Sequence, residues 1–496
     1  MSKNALAGID IGTSKIRCVL YKTNGVLISN NSFKTPIIKI NSEYYNPTET
    51  IYEIIIKLLI KTFKYAYKKN YFVRGISVSS VGEAGVPIDK NLNPLMDIIP
   101  WYDQRTEIIR DKLIKNKENI IYKNTGLNND HFYSVYKILW IKKNKPKVYS
   151  KIFKWLPVND YYAMRLTNTV STDYSQAMRT LLFNPNKLNW SKEMISLFKI
   201  NKNILPKIIN SGDVKGNFNA KLKKILKLKH DCIVAAGGHD HFVGIYGLGG
   251  FKSKTAVNSM GSAEALVVNT KEYLINNKLK KGKFISGVFK TKSNTNYYIV
   301  GSILTSGIII EWFKTTFGIK DYKELNKILK SVNNKKIIFF PQFEFSHSPI
   351  NLNKTRGFII GIDRSTTIGD LYYSILKSLT YDTKNALEFI SKETNINFNK
   401  IICSGGSVQN KDWMKLRASI LNYNLYIDKN IENVSLGSAI LAGIASKVYK
   451  NDNDAFKKIF NKFKIIKYKK LSSKNDNSLE KYNSSVKNLT VLNKIL

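Results

Sequence analysis

Cysteine is scarce in this chain: only Cys18, Cys232 and Cys403 occur in 496 residues, far apart from one another. That spacing excludes a disulfide scaffold and a zinc-type ligand set, and it fits a reducing compartment. No stretch reaches the roughly 18 uninterrupted apolar residues that a spanning helix needs. Met1 to Ala5 lead straight into an apolar segment, without the charged and then long apolar regions of an export signal. A soluble, cytoplasmic protein is therefore expected. Also missing are a G-x-x-x-x-G-K-[ST] loop, a protein-kinase-like signature set, G-x-S-x-G and H-E-x-x-H. Their absence sets aside the P-loop reading and the simple hydrolase readings.

Acidic residues are few as well. Asp and Glu number 36 against 79 Lys and Arg, for a formal net charge of +43. A polyanion binder is one reading of such a balance, but nucleic-acid modules concentrate charge on one face or tail. Here lysine is spread through every region together with Asn, Ile, Tyr and Phe, the residue types that A/T-rich codons encode. We expect no specific nucleic-acid or membrane partner; the charge speaks to solubility and to encounter with anionic nucleotides.

What is present is a core and a pattern. Hydrophobic residues make up 43% of the chain and aromatics 12%, enough for burial, and the length calls for two large domains. Ala7 to Ile11 and Arg17 to Tyr21 flank a Gly/Thr/Ser turn and predict a β-hairpin. Residues 50–69 carry Ile and Leu at helical spacing, and Gly75 to Ser80 predict a further strand. The order is that of α/β layers. A second hairpin is predicted over Thr255 to Leu266, turning at Gly261-Ser262, the nearest thing to an internal repeat. The Gly247-Leu248-Gly249-Gly250 cluster places a boundary between domains 1–249 and 250–496. After Val448 we expect a peripheral helix and an ordered edge, with a frayed end near 470–480.

Three segments carry candidate chemistry. In Asp10-Ile11-Gly12-Thr13-Ser14 a glycine turn lets backbone N–H groups approach an anion, and a carboxylate beside it suits the Mg²⁺ that phosphates bring; an ordinary hairpin turn has the same composition. In Ala235-Ala236-Gly237-Gly238-His239-Asp240-His241 a carboxylate at a strand end can act as general base, with a zinc pair or a loop cap as rivals. In Cys403-Ser404-Gly405-Gly406-Ser407-Val408-Gln409-Asn410 a strand, a Gly-Gly turn and a helix start from about Lys411 suit a nucleotide. Leu436 to Gly443 reads as a small-residue helix that packs closely against a strand or a base.

Taken in order, these motifs resemble the FGGY family of carbohydrate kinases, which includes glycerol, xylulose, fuculose and gluconate kinases. The resemblance runs from Gly8 to about Val448. It includes Trp101-Tyr102-Asp103-Gln104-Arg105-Thr106, Val158 to Tyr162 with Arg165-Leu166-Thr167, and Thr172 to Ala177. It implies a two-domain actin/Hsp70/hexokinase-like (ribonuclease H-like) α/β fold with a central cleft, and ATP and Mg²⁺ as cofactors. It also implies Asp240 as catalytic base toward a hydroxyl of a small sugar or polyol. ATP and its phosphates fall to Asp10, Gly12, Thr13, Ser14, Arg17, Gly261, Ser262, Gly307, Glu311, Gly405, Gly406 and Asn410, with Asp10 toward the metal. Substrate hydroxyls fall to Glu83, Trp101, Asp103 and Asp240. Where glycerol kinases carry an Arg-Glu pair, this chain has Gly82-Glu83, and its context at 81–89 and 238–240 leans toward fuculose- or xylulose-kinase-like members. A glycerol or polyol kinase, a catalytically silent sugar sensor and a polyanion binder stand as alternatives. The sugar, the phosphorylated carbon and a homodimer are left open.

Overall fold

The computed structural model describes residues 3–113, 117–333, 336–343, 347–350, 356–428, 432–459, 463–469 and 477–492. They fall into two compact units. The first comprises Met1–Gly249 with Ser286–Tyr297 and Glu432–Asn461; the second comprises Gly250–Ile285, Tyr298–Ile431 and Lys462–Leu496. The chain thus crosses near Gly249 but returns twice, so the helix Asn433–Ala445 packs with the first unit.

The first unit is built on a six-stranded sheet. Its strands are β1 (Lys3–Ile11), β2 (Lys15–Lys22), β3 (Leu27–Lys34), β4 (Tyr71–Ser80), β5 (Val214–Asn217) and β6 (Ile233–His239), in the order β5-β6-β4-β1-β2-β3. β1, β2 and β3 pair antiparallel, whereas β1 and β4, and β4 and β6, pair parallel. Helix Thr48–Lys68 supplies the crossover and buries Ile51, Ile55, Leu58, Leu59 and Phe63, the helical spacing seen in the sequence. On the sheet's other side the approach is backbone to backbone. A Cβ on Gly8 would lie 2.0 Å from the Ser435 carbonyl oxygen, and one on Gly437 would lie 2.0 Å from that of Val243. Helix Asn433–Ala445, rich in Gly, Ala and Ser, has the thin face this requires.

The second unit repeats the plan. β7 (Thr255–Met260) and β8 (Glu264–Thr270) form the hairpin, and β9 (Thr295–Ile303) flanks it. β10 (Lys400–Ser404), β11 (Leu425–Ile427) and β12 (Lys464–Ile466) give the order β9-β8-β7-β10-β11-β12 within a seven-stranded sheet, whose remaining strand, Ile285–Lys290, lies at the edge beside β9. β7 pairs antiparallel with β8 and parallel with β10, which is parallel to β11. β9-β8-β7-β10-β11 therefore reproduces β3-β2-β1-β4-β6, the repeat that the two Gly/Ser turns announced. The long helix Ile368–Thr394, opened by a Thr367/Asp370 capping box, fills the core beside it. Near the C-terminus, 470–476 lie outside the described residues, and a helix follows at Ser478–Leu492. No helix among the described residues is long and apolar enough to cross a membrane.

Substituting Gly8 by Ala forces a methyl group into the Ser435 carbonyl. We expect a loss of about 3 kcal/mol or more, read as a fall in the urea midpoint with an unchanged slope.

Candidate functional site

The first hairpin turn is closed by the Gly12 N–H, which donates to the Lys15 carbonyl at 3.0 Å. Thr35 Oγ1 donates to Gly12 O at 2.8 Å, and Trp101 Nε1 donates to Thr13 Oγ1 at 3.1 Å. Thr13 and Ser14 stand exposed at the tip. Behind them Asp10 is 5% exposed. Its Oδ2 accepts from Arg17 Nη1 at 3.1 Å, and Arg17 Nε lies 3.2 Å from Glu432 Oε2. Oδ1 is buried without a partner. Burial pushes Asp10 up to about 6; Arg17 pulls the other way and Glu432 adds to the rise. Among the described residues no cluster of three or more His, Cys, Asp or Glu can hold a metal. One buried carboxylate with a free oxygen fits a hard cation that brings phosphate and water as its other ligands.

The second carboxylate sits where β6 ends. His239 is the last strand residue and Asp240 the first of helix Asp240–Gly247, so His241 lies on the helix and the two histidines do not share a strand. The His239 N–H donates to Ser175 Oγ at 2.9 Å, and that hydroxyl donates to Asp173 Oδ1. The His241 N–H donates to Asp240 Oδ1 at 2.6 Å, and His239 Nε2 stands 3.2 Å from the same oxygen. Burial drives Asp240 well above the usual carboxylate range, and the charges of Asp10 and Glu83 add to it; the His241 N–H and Arg179 oppose. His239 is held well below its ordinary value by burial, Arg179 and His241, and His241 falls to about 4 by burial and Arg179. Both imidazoles are neutral at neutral pH. They flank a carboxylate that is only a quarter exposed and whose proton affinity is raised.

Glu83 occupies a turn that the sequence did not announce. Its φ is +63°, in the left-handed region, the Ala84 N–H donates to Gly82 O at 2.7 Å, and the side chain is buried. A non-glycine residue held there marks a constrained position. Arg179 holds the carboxylate: Nε donates to Oε1 at 2.5 Å, and Nη2 contacts the same oxygen. Gly82 makes the room, since a Cβ there would lie 2.9 Å from the His239 ring and 3.0 Å from Arg179 Cγ. Trp101 is 38% exposed. Asp103, expected on substrate, has both oxygens engaged: Arg105 Nε at 2.7 Å and the Arg105 N–H at 3.0 Å on Oδ1, Arg105 Nη2 at 2.7 Å and the Tyr44 N–H at 2.9 Å on Oδ2. Burial raises its pKa, but these bonds outweigh burial and hold Asp103 below its usual value. It anchors the segment that carries Trp101.

In the second unit the turn residues gather at one end of the sheet. The Gly261 N–H donates to Ala263 O at 3.0 Å. The N–H groups of Ser306 and Ile308 donate to Ser262 O at 3.2 and 3.1 Å, and that of Gly307 to Gly261 O at 3.2 Å. Gly307 touches the turn directly, as a Cβ there would lie 2.4 Å from Gly261 O. Gly405, at φ +99°, could carry no side chain, because a Cβ would meet Met260 O at 2.4 Å; Gly406 faces open space. Asn410 is buried as the cap of helix Lys411–Leu421, accepting from the Trp413 N–H at 3.0 Å and donating to Tyr372 Oη at 3.0 Å. Glu311 lies on the surface, 2.9 Å from Lys314 Nζ and 3.1 Å from Tyr322 Oη. Beneath the turn, Arg417 Nη2 meets Glu264 Oε2 at 2.5 Å, and Ser306 Oγ donates to Glu264 Oε1 at 2.5 Å, all fully buried.

Sequence reasoning missed Arg179, Glu432 and the Glu264–Arg417 pair. For Arg179 a signal was there: an arginine between Ala177-Met178 and Leu181-Leu182-Phe183 must find a buried partner. Glu432 and Arg417 are joined to their partners across the chain and leave no local trace.

Comparisons with known proteins agree across the chain. Residues 5–247 match the N-terminal domain and residues 256–446 the C-terminal domain of the FGGY family of carbohydrate kinases. A glycerol kinase of Saccharolobus islandicus is 29% identical over 456 residues, covering 90% of this chain and 88% of that protein. A xylulose kinase of Staphylococcus epidermidis is 28% identical over 450 residues, covering 89% and 88%. The fold is that of Plasmodium falciparum glycerol kinase with ADP, at TM-score 0.90, 22% identity and 98% of both chains. It is also that of ligand-bound xylulose kinase from Lactobacillus acidophilus, at 0.86, 20% and 98% of both.

Two outcomes are expected from this geometry. Arg179→Met leaves Glu83 buried without its counter-ion and costs about 3–5 kcal/mol, measured by denaturant unfolding; adding Glu83→Gln recovers part of that loss. For Asp10, a raised folded pKa means stability present below pH 4 and lost as the pH rises through about 6. Between pH 4 and 7.5 the wild type therefore loses about 3 kcal/mol relative to Asp10→Asn, a difference that paired melting curves at the two pH values read directly.

Proposed function

We propose, for a chain that belongs to the FGGY family of carbohydrate kinases, that Asp240 removes the proton from the hydroxyl that is phosphorylated. The chain is a carbohydrate kinase: it transfers the γ-phosphoryl group of ATP to a hydroxyl of a small sugar or polyol. The observation that carries the assignment of Asp240 is its setting. One oxygen is held by the His241 N–H, the histidines beside it are neutral, and burial with two neighbouring carboxylates raises its proton affinity. A base of raised pKa accepts a proton more readily as the hydroxyl attacks.

The remaining roles follow from chemistry. Phosphoryl transfer has a loose transition state, so positioning and charge neutralisation dominate. The amides and hydroxyls of Thr13 and Ser14 at the first turn suit phosphate oxygens, as do those of Ser262 at the second; Gly12 and Gly261 close the two turns with their own N–H groups and leave bare backbone beside them. Gly405 and Gly406 offer bare backbone suited to the nucleoside end. Asp10 would hold Mg²⁺ through Oδ1, and Arg17, paired with both Asp10 and Glu432, would keep that carboxylate in place. When bound, the cation neutralises phosphate charge. Glu83 and the Trp101 face suit the carbon chain and hydroxyls of the substrate. Asp103 acts through the segment it anchors.

Arg179 bears on substrate choice. Position 82 is glycine, yet the Arg179 guanidinium reaches Glu83 past the space that this glycine leaves. The missing arginine of the Arg-Glu pair is thus no argument against a small polyol, and glycerol stands beside the pentuloses as a substrate to test. The three cysteines are free and buried, in keeping with a cytoplasmic location.

A panel of polyols, ketoses and aldonates assayed by ADP release identifies the acceptor. With that acceptor, Asp240→Asn is expected to lower kcat by about 10²- to 10⁴-fold while ADP affinity stays within twofold of wild type; near wild-type turnover would sink the assignment.

A further inference from the structure

The second unit contains a chain of buried polar groups that the catalytic reading leaves unused. Tyr482, in helix Ser478–Leu492, donates its hydroxyl to Asp382 Oδ1 at 2.8 Å. Asp382 Oδ2 lies 2.7 Å from His347 Nδ1. On the other side of the ring, Nε2 is 2.6 Å from Thr305 Oγ1 and accepts from the Thr305 N–H at 3.2 Å. Tyr482, Asp382, His347 and Thr305 are all buried, Thr305 at 4% being the most exposed. With Nδ1–H donating to the carboxylate, the imidazole is fixed in one tautomer and one orientation, and Nε2 is left as acceptor.

Thr305 leads directly into Ser306 and Gly307, whose N–H groups hold the carbonyls of Ser262 and Gly261. The next residue of the long helix, Thr383, feeds the same place by another route: it accepts from Arg417 Nη2 at 2.6 Å, and Arg417 grips Glu264, the acceptor of Ser306 Oγ. Two adjacent positions on one helix thus brace both sides of the Gly261-Ser262 turn. Of these two branches the Asp382 one reaches the C-terminal helix, which the Asn385–Asn483 pair also ties to the long helix. The C-terminal helix lies beyond residue 446, where the family match ends.

From this geometry we propose that helix Ser478–Leu492 is a strap that sets the second phosphate turn through Tyr482, Asp382, His347 and Thr305, and so tunes nucleotide affinity. The inference rests on the reading of Gly261-Ser262 as a nucleotide phosphate turn. Tyr482, Asp382 and His347 are positioning residues, since they act through Thr305. Such an arrangement predicts a split between the two substrates: nucleotide binding responds to the strap, and sugar binding does not.

The test uses the full-length protein with ADP as probe by calorimetry, and KM for ATP and for the acceptor by ADP release. Tyr482→Phe removes one hydroxyl and keeps the ring. It is expected to weaken ADP binding and raise KM for ATP about three- to tenfold, the worth of one buried hydrogen bond, with KM for the acceptor unchanged. His347→Gln is expected to do the same, and the double variant to be no worse than His347→Gln, because both cut one path. Unchanged ADP affinity in Tyr482→Phe, or equal rises in both KM values, overturns the strap. Gly261→Val separates the two readings. If it abolishes ADP binding while Tyr482→Phe has no effect, only the strap fails; if it leaves ADP binding intact, the turn reading fails and the strap with it.

Discussion

Two helices and one strand meet in the first unit with almost no side chain between them. Gly437 of helix Asn433–Ala445 presses on the Val243 carbonyl of helix Asp240–Gly247, Gly247 presses back on the Asn433 carbonyl and on Gly437, and Gly8 of β1 lies against Ser435. Close packing of backbones fixes distances more tightly than interdigitated side chains, because it leaves no rotamers to adjust. Asp240 opens one of these helices and Asp10 is the last residue but one of the strand. Their mutual electrostatic influence, visible in the raised pKa of Asp240, is therefore a property of the framework.

The cost of such a site is carried by its surroundings. Asp10, Glu83 and Asp240 bring three carboxylates into one neighbourhood of the first unit, and two of the three are matched by an arginine: Arg17 and Arg179. Among the described residues Asp240 makes no ion pair with an arginine, and its proton affinity rises accordingly. The second unit follows the opposite rule. Buried Glu264 and Arg417 are paired with each other, Arg417 also donates to Asn258 and Thr383, and together they sit beneath the turn away from solvent.

Much of this was legible in the sequence because it is local. The two Gly/Ser turns between β-rich runs, the helical spacing over 50–69 and the start of a helix at Lys411 each rest on neighbouring residues, and each has its counterpart in the structure. The position of Asp240 at a strand end was legible too, though the change from strand to helix between His239 and Asp240 was not. The pairings that tune the site were hidden. Arg17 finds Glu432 and Arg417 finds Glu264 over separations that no periodicity encodes. Glu83 gave no sign of its left-handed backbone, because that conformation is imposed by Arg179 and by the space at Gly82. Asp103 looked free in the sequence and is held by Arg105, two residues away.

The return of the chain to the first unit at Glu432–Asn461 has a consequence for biosynthesis. During translation the strands of that unit emerge early, but the face of β1 around Gly8 is covered only by the helix Asn433–Ala445. Domains that are continuous in sequence can close while the ribosome is still working on the next. Here the first unit waits until the chain has passed Glu432, with apolar sheet surface uncovered in the meantime. The first unit is thus completed only after the intervening segments of the second unit have been made, when the helix Asn433–Ala445 arrives.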